Sequence, residues 1–366
     1  MVEVYFLILI VAAVMTLPLA SERLAYAYDA EESPDYDALR GVAPSARIIV
    51  YIWMALLFAM LVVLCVNKSE TISDNLMYQR MYDMGSSRFN RRGVEPTFGL
   101  ITLISPSFTI LLLVYAVLSV GFHMLAITKK APNLWLSLMV YLTLDYVLHD
   151  MIQIRGAVAA GIVLFSIQFI AERKWWYYFP LITVATLFHY SAIVFVPMFF
   201  LPVKRMFKWF WAGVLLVAIA MGITQNYIGS YMKFIPLEFI NKFFEAYMGN
   251  KTYNVAMGIG IRRVIMCLLL FVMIFRIDHI KDHYPLAIPC LLLSIFSQVC
   301  FLIFGDIPVM QGRMGELFGL ADIFTLAMFP MVWRKYYYVM FLPPLIMVVL
   351  NLQTAYVLLT TVSTID

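Results

Sequence analysis

Charge is scarce in this chain. Of 366 residues, 26 are Lys or Arg and 22 are Asp or Glu, 13% in all. A soluble globular domain carries about 25%, so an ordinary water-facing surface is excluded. Cysteine is sparse too. Cys65, Cys267, Cys290 and Cys300 lie in apolar runs without CxxC spacing, which excludes a disulfide framework or thiolate metal site and leaves small buried hydrophobes. The five histidines, His123, His149, His189, His279 and His283, show no metal-ligand spacing. No P-loop, GxGxxG, HExxH, Ser-His-Asp elbow or EF-hand spacing occurs. The net charge of +4 comes with no basic run, so nothing points to nucleic acid.

What is present is hydrophobicity, at 63% of residues. A bilayer crossing takes about 20 residues, so the chain has room for about ten or eleven. Apolar segments fall at 3–20, 47–66, 99–127, 132–149, 155–171, 175–203, 209–224, 261–275, 284–304, 314–333 and 336–361. The polar stretches 21–46, 67–98 and 225–260 are too short for comfortable cores of their own. The expectation is one all-α, polytopic integral membrane domain over 1–366, with about 10–12 transmembrane or re-entrant helices. The first segment resembles a signal peptide, but Glu3 stands where a basic n-region belongs, so it reads as a transmembrane helix.

Segment 175–203 is either one long tilted helix or two half-length helices meeting at His189-Tyr190-Ser191. Positive residues in short loops favour the cytoplasm. A re-entrant hairpin places Lys129–Lys130, Arg173–Lys174, Lys204–Arg205–Lys208, Arg276 with Lys281, and Arg334–Lys335 on one side, whereas a single crossing scatters them. The hairpin is preferred. It puts loops 67–98 and 225–260, the turn at 150–154, the His189 apex and the turn around Arg313 together on the outer face.

Several ionisable residues interrupt these segments. An arginine at a membrane helix centre costs about 2.5–3.5 kcal/mol on insertion scales and is functional by default. Asp145 and His149 are four residues apart and share a helix face. Gln153 and Arg155 come next, with Arg155 at a helix N-terminus where free amides already favour an anion. A guanidinium there suits a phosphate; the bland alternative is an Asp145–Arg155 ion pair orienting two helices. Ser191 reads as an N-cap for the second half-helix, and His189 either meets a phosphate or sugar oxygen or bonds a neighbouring carbonyl. Arg262–Arg263 and Arg313 each open an apolar segment, opposing the helix dipole unless a polyanion binds; stem snorkelling is the alternative for Arg262–Arg263. Glycines flank Arg313 closely enough to admit a ligand. In the 67–98 loop Asp74 and Glu95 are candidates for general-base chemistry or sugar binding, while Glu70 and Asp83 read as solvated charge. His279 and His283, beside Lys281, read as loop residues.

In order along the chain stand Asp74-x-x-x-Tyr78, Glu95-Pro96, Gln153-Ile154-Arg155-Gly156, Phe188-His189-Tyr190-Ser191-Ala192 and Gly312-Arg313. This set resembles the EpsG-type branch of the Wzy polysaccharide polymerases, which extend O-antigen, capsule or exopolysaccharide chains. The resemblance spans roughly 46–335; the Asp74–Tyr78 element lacks the glycine that often precedes it, and 21–45 has no counterpart. It implies a GT-C-like, metal-independent, inverting glycosyltransferase of the bacterial inner membrane, without cofactor and with a periplasmic site. Donor and acceptor would both be glycans on undecaprenyl pyrophosphate, with a chain-length regulator and a flippase as further partners. Arg155, His189 and Arg313 would meet the pyrophosphate, Glu95 or Asp74 the acceptor, and Tyr78, Asp145, His149, Gln153, Ser191, Arg262 and Arg263 would line the substrate. The competing readings are a flippase for the same lipid-linked sugar, which should show internal repeats, and a membrane acyltransferase acting on polysaccharide. Loops 67–98 and 225–260 are where sugar specificity is expected.

Overall fold

The computed structural model describes residues 1–26, 36–68, 72, 74–85, 95–228 and 258–360. Most of the expected loop 225–260 and the segments 69–71, 73 and 86–94 of loop 67–98 lie outside these. Among the described residues the chain is helical and has no β-strand.

Apart from a single turn at Glu22–Ala25, the α-helices in chain order are α1 (Val2–Thr16), α2 (Pro44–Val66), α3 (Asn75–Asp83), α4 (Pro96–Ile104), α5 (Phe108–Lys130) and α6 (Leu134–Val140). They continue with α7 (Ile154–Ala171), α8 (Trp175–Phe188), α9 (Lys208–Thr224) and α10 (Ile261–Lys281). The remainder are α11 (Ala287–Ile303), α12 (Pro308–Gly319), α13 (Asp322–Met328) and α14 (Leu342–Thr360). Among the described residues five helices are long and apolar enough to cross a bilayer, and six if the pair Met310–Gly319 and Asp322–Val332, bent by 53°, is one span. The chain is therefore an all-α polytopic membrane protein. The other expected apolar segments form helices that are shorter, broken or interrupted by charge.

Burial obeys the membrane logic. Ile48, Ile49, Ile52, Leu56 and Val63 of α2 are exposed, as a lipid-facing surface requires. Helix α7 is the most enclosed of the candidate spans and packs between α5 and α8. Gly161 permits that approach, because a Cβ there would lie 2.9 Å from Phe122 Cβ and 3.1 Å from the Ser119 carbonyl. Small residues let membrane helices close to such distances.

Three departures from regular α-helix shape the region of interest. First, the segment expected as one apolar run at 99–127 is broken at Ser105-Pro106-Ser107. Pro106 lacks an N–H, and the Ser107 hydroxyl accepts from the Ile110 amide at 3.3 Å to begin α5 afresh. Second, Tyr141–Ile152 winds as a π-helix, whose last step is a Gln153 N–H donated to the Leu148 carbonyl at 3.2 Å. Such wide turns are rare and cluster at functional sites. Third, α8 ends at His189, and Tyr190–Phe200 continues as a 3-10 helix. The two arms fold back on each other: Tyr178 Oη donates to the Phe195 carbonyl at 2.6 Å. Arg173 ties the base by donating to the carbonyls of Phe199 and Leu201, each at 2.6 Å. His189 is thus the apex of a hairpin.

Candidate active site

The apex meets the start of two other helices. Glu95 precedes Pro96 and forms the N-cap of α4; Arg155 lies in the first turn of α7, just after the π-turn closes. Glu95 Oε1 lies 2.9 Å from His189 Nδ1, and Oε2 is paired with Arg155 Nη1. Glu95 is 4% exposed. Burial pushes its carboxyl up, but the His189 hydrogen bond and the Arg155 charge outweigh this and hold it below the usual carboxylate range. Arg155 also sits over the rings of Tyr78 (5.4 Å) and Phe98 (5.8 Å), so the Asp74–Tyr78 element supplies the guanidinium's floor. Asp74 caps α3 in the left-handed region, at φ 67°, which aspartate tolerates better than most residues. Its charge acts on Tyr78 and Lys68.

Next to this trio is a narrow crevice bounded by His149, Gln153, His189, Ser191, Arg313 and Glu316. Beyond it opens a cavity of about 460 Å³ between the π-turn, α10, α11, α12 and α14, with Asp145, His149, Arg262, Arg263, Glu316 and Asp322 in its wall. The two share His149 and Glu316, and Gln153 Nε2 donates to Glu316 Oε2 at 3.4 Å across the divide. The structure therefore brings Glu95, Arg155, His189, Tyr78, Gln153, Ser191 and Arg313 to one place. It sets Asp145, Arg262 and Arg263 in an adjoining one, with His149 between.

Several sequence expectations are corrected. The alternative Asp145–Arg155 ion pair does not form: Asp145 faces His149 at 3.7 Å, and Arg155 goes to Glu95. The cations are not one free cluster, because a buried charge is stable only with partners. Arg155 is paired with Glu95; Arg263 lies on Phe301 at 3.9 Å and donates to Gln298 at 3.2 Å; Arg262 donates to Asn351 at 3.4 Å. Arg313 does not open a helix. It sits inside α12, whose break comes afterwards, between Gly319 and Asp322. Ser191 is not an N-cap: His189 holds that position and no side chain caps it. The Ser191 hydroxyl is instead buried at the crevice without a hydrogen-bond partner.

Sequence reasoning missed Glu316 and Asp322, although two acids in the apolar run 314–333 were a readable signal. It also missed the enclosed pair His123 and Asp150, at 3.6 Å, with Tyr141 Oη donating to Asp150 at 2.9 Å. That pair braces the π-turn against α5. Among the described residues no three of His, Cys, Asp and Glu are grouped to hold a metal ion.

Comparison with curated proteins and with solved structures returned no match. The EpsG family matches over residues 50–362, a stretch that runs from within α2 to the end of α14 and holds the whole constellation around Glu95. The chain belongs to the EpsG family, and with it to polysaccharide biosynthesis of the polymerase, glycosyltransferase-like kind.

Proposed function

We propose that this protein is an inverting, GT-C-like glycosyltransferase that polymerises undecaprenyl-pyrophosphate-linked repeat units at the periplasmic face of the bacterial inner membrane. The observation that carries the reading is the Glu95–His189 pair, fixed by Arg155 at the tip of a hairpin and open to a polar crevice. An ionised Glu95 holds a proton on His189 Nδ1 and leaves Nε2 as the base. This is the logic of a carboxylate orienting an imidazole. Nε2 takes the proton of an acceptor hydroxyl as its oxygen bonds the donor's anomeric carbon. The bond from that carbon to the diphosphate breaks on the opposite face, inverting the centre. The departing diphosphate needs positive charge more than protonation. Arg313, beside His189 in the crevice wall, supplies it, and the N-terminus of α7 adds free amides. On this reading the 175–203 hairpin has both ends on the cytoplasmic side and carries the base, at its apex, to the periplasmic face.

The test is a purified-enzyme assay. Lipid-linked repeat units in detergent should yield a ladder of longer glycans with released carrier pyrophosphate, in the presence of chelator, and His189→Ala should abolish it. Transport of intact lipid-linked units across liposomes without any ladder would make the chain a flippase instead.

A further inference from the structure

We infer that the 460 Å³ cavity is a saccharide subsite, which holds the hydroxyl-bearing end sugar of the acceptor and excludes the diphosphate. The inference rests on the polymerase reading. The cavity's volume lies within the range of small-molecule sites, about 300–1,000 Å³. Three carboxylates (Asp145, Glu316, Asp322) and two guanidinium groups (Arg262, Arg263) share the wall. A diphosphate placed there shares the wall with three carboxyl groups, which offer it no cation and repel it when ionised. A sugar hydroxyl both donates and accepts, so a wall of carboxyl oxygens beside donor-only guanidinium groups suits it.

The cations are also turned to this task. Arg263 lies flat on Phe301 and is held by the neutral amide of Gln298, while Arg262 is held by Asn351. Among the described residues neither is paired with a carboxylate. The π-turn adds two further polar side chains to the wall. Asp145 and His149, 3.7 Å apart, close the wall on that side. Leu144 and Met266 complete the wall with apolar surface for sugar C–H groups. Because His149 and Glu316 belong to both cavity and crevice, a sugar seated here presents a hydroxyl across the divide toward His189.

The experiment uses the full chain in detergent and two probes: the repeat-unit oligosaccharide cleaved from its lipid by mild acid, and inorganic pyrophosphate. The oligosaccharide should bind by calorimetry or saturation-transfer NMR, and millimolar pyrophosphate should not displace it. Glu316→Gln and Asp322→Asn should each weaken binding at least tenfold. Gly315→Leu is the steric variant. A Cβ there finds only ordinary distances, 3.5 Å to Arg263 Nη2 and to Phe301, so the chain should keep its thermal midpoint and lose the oligosaccharide. Displacement by pyrophosphate, no binding of the oligosaccharide, or wild-type affinity in all three folded variants overturns the subsite. The polymerase reading fails separately. Binding as expected with no ladder from lipid-linked units removes the polymerase and leaves the subsite; a ladder with unaffected cavity variants does the reverse.

Discussion

Glu95 and His189 meet at 2.9 Å through Oε1 and Nδ1 although 94 residues separate them. The contact joins the N-cap of α4 to the tip of the hairpin, and it fixes the edge of the imidazole left for chemistry. Glu95→Gln keeps the shape but no longer enforces the Nδ1–H tautomer. Polymerisation should fall by about 10²- to 10⁴-fold, with the thermal midpoint little changed. Glycan-ladder rates decide it; an unaffected rate would remove Glu95 from the mechanism. The Glu95 carboxyl titrates below its usual range in the fold because the His189 hydrogen bond and the Arg155 charge outweigh burial. Its contribution is therefore full above the unfolded value of about 4.3 and fades only as pH falls through the lower folded value.

Arg155 neutralises Glu95 and rests on Tyr78 and Phe98. Arg155→Met leaves Glu95 as a buried, half-compensated charge, which costs about 3–5 kcal/mol when one partner of a buried pair is removed. Arg155→Met with Glu95→Gln should cost clearly less than the sum of the two single changes. Denaturant unfolding of the four proteins gives the coupling, and strict additivity would mean the pair is not energetically joined. Arg155→Lys should not rescue activity, since a lysine offers no planar fork and stacks less well.

The hairpin is held by few polar ties. Tyr178→Phe removes the hydroxyl that donates to the Phe195 carbonyl and should cost about 1 kcal/mol. Tyr190→Cys, at an exposed position beside the apex, in a background lacking the four native cysteines should be modified by membrane-impermeant maleimide from the periplasmic side. Labelling only after permeabilisation would reverse the proposed re-entry.

Lys68, just beyond α2, is 7% exposed and donates to the Met151 carbonyl at 2.7 Å. Burial pulls it down to about 8, against opposing effects of Cys65 and Asp74. The unfolded chain, with a lysine value of about 10.4, then binds more protons than the fold between those two values, so stability should rise with pH across that window. Lys68→Met should flatten this rise. The thermal midpoint tracked from about pH 7.5 to about pH 10, the span between folded and unfolded values, checks both.

Hydropathy made the membrane class and most helices legible, because each apolar run is long and bounded by charge. The break at Ser105-Pro106-Ser107 was readable from proline and a serine cap, yet the surrounding hydrophobicity hid it. The π-turn over Tyr141–Ile152 was not readable, since no residue type demands it. Arg155, His189 and Glu95 stood out singly as charges at membrane depth or before a helix. That Glu95 would bind the other two depends on three helix ends converging, which local pattern cannot show. For the same reason Arg262 and Arg263 were legible as functional candidates but not as neighbours of Asp322 and Glu316.

The wide winding of Tyr141–Ile152 makes side-chain aim sensitive to chain length rather than composition. Each residue added to or taken from an α-helix rotates the downstream chain by about 100°. Deleting one residue from this stretch tightens it toward ordinary pitch with little loss of packing. The guanidinium of Arg155 would then swing off Glu95 without any change in its chemistry, so insertions and deletions here should be far more damaging than substitutions at the same positions.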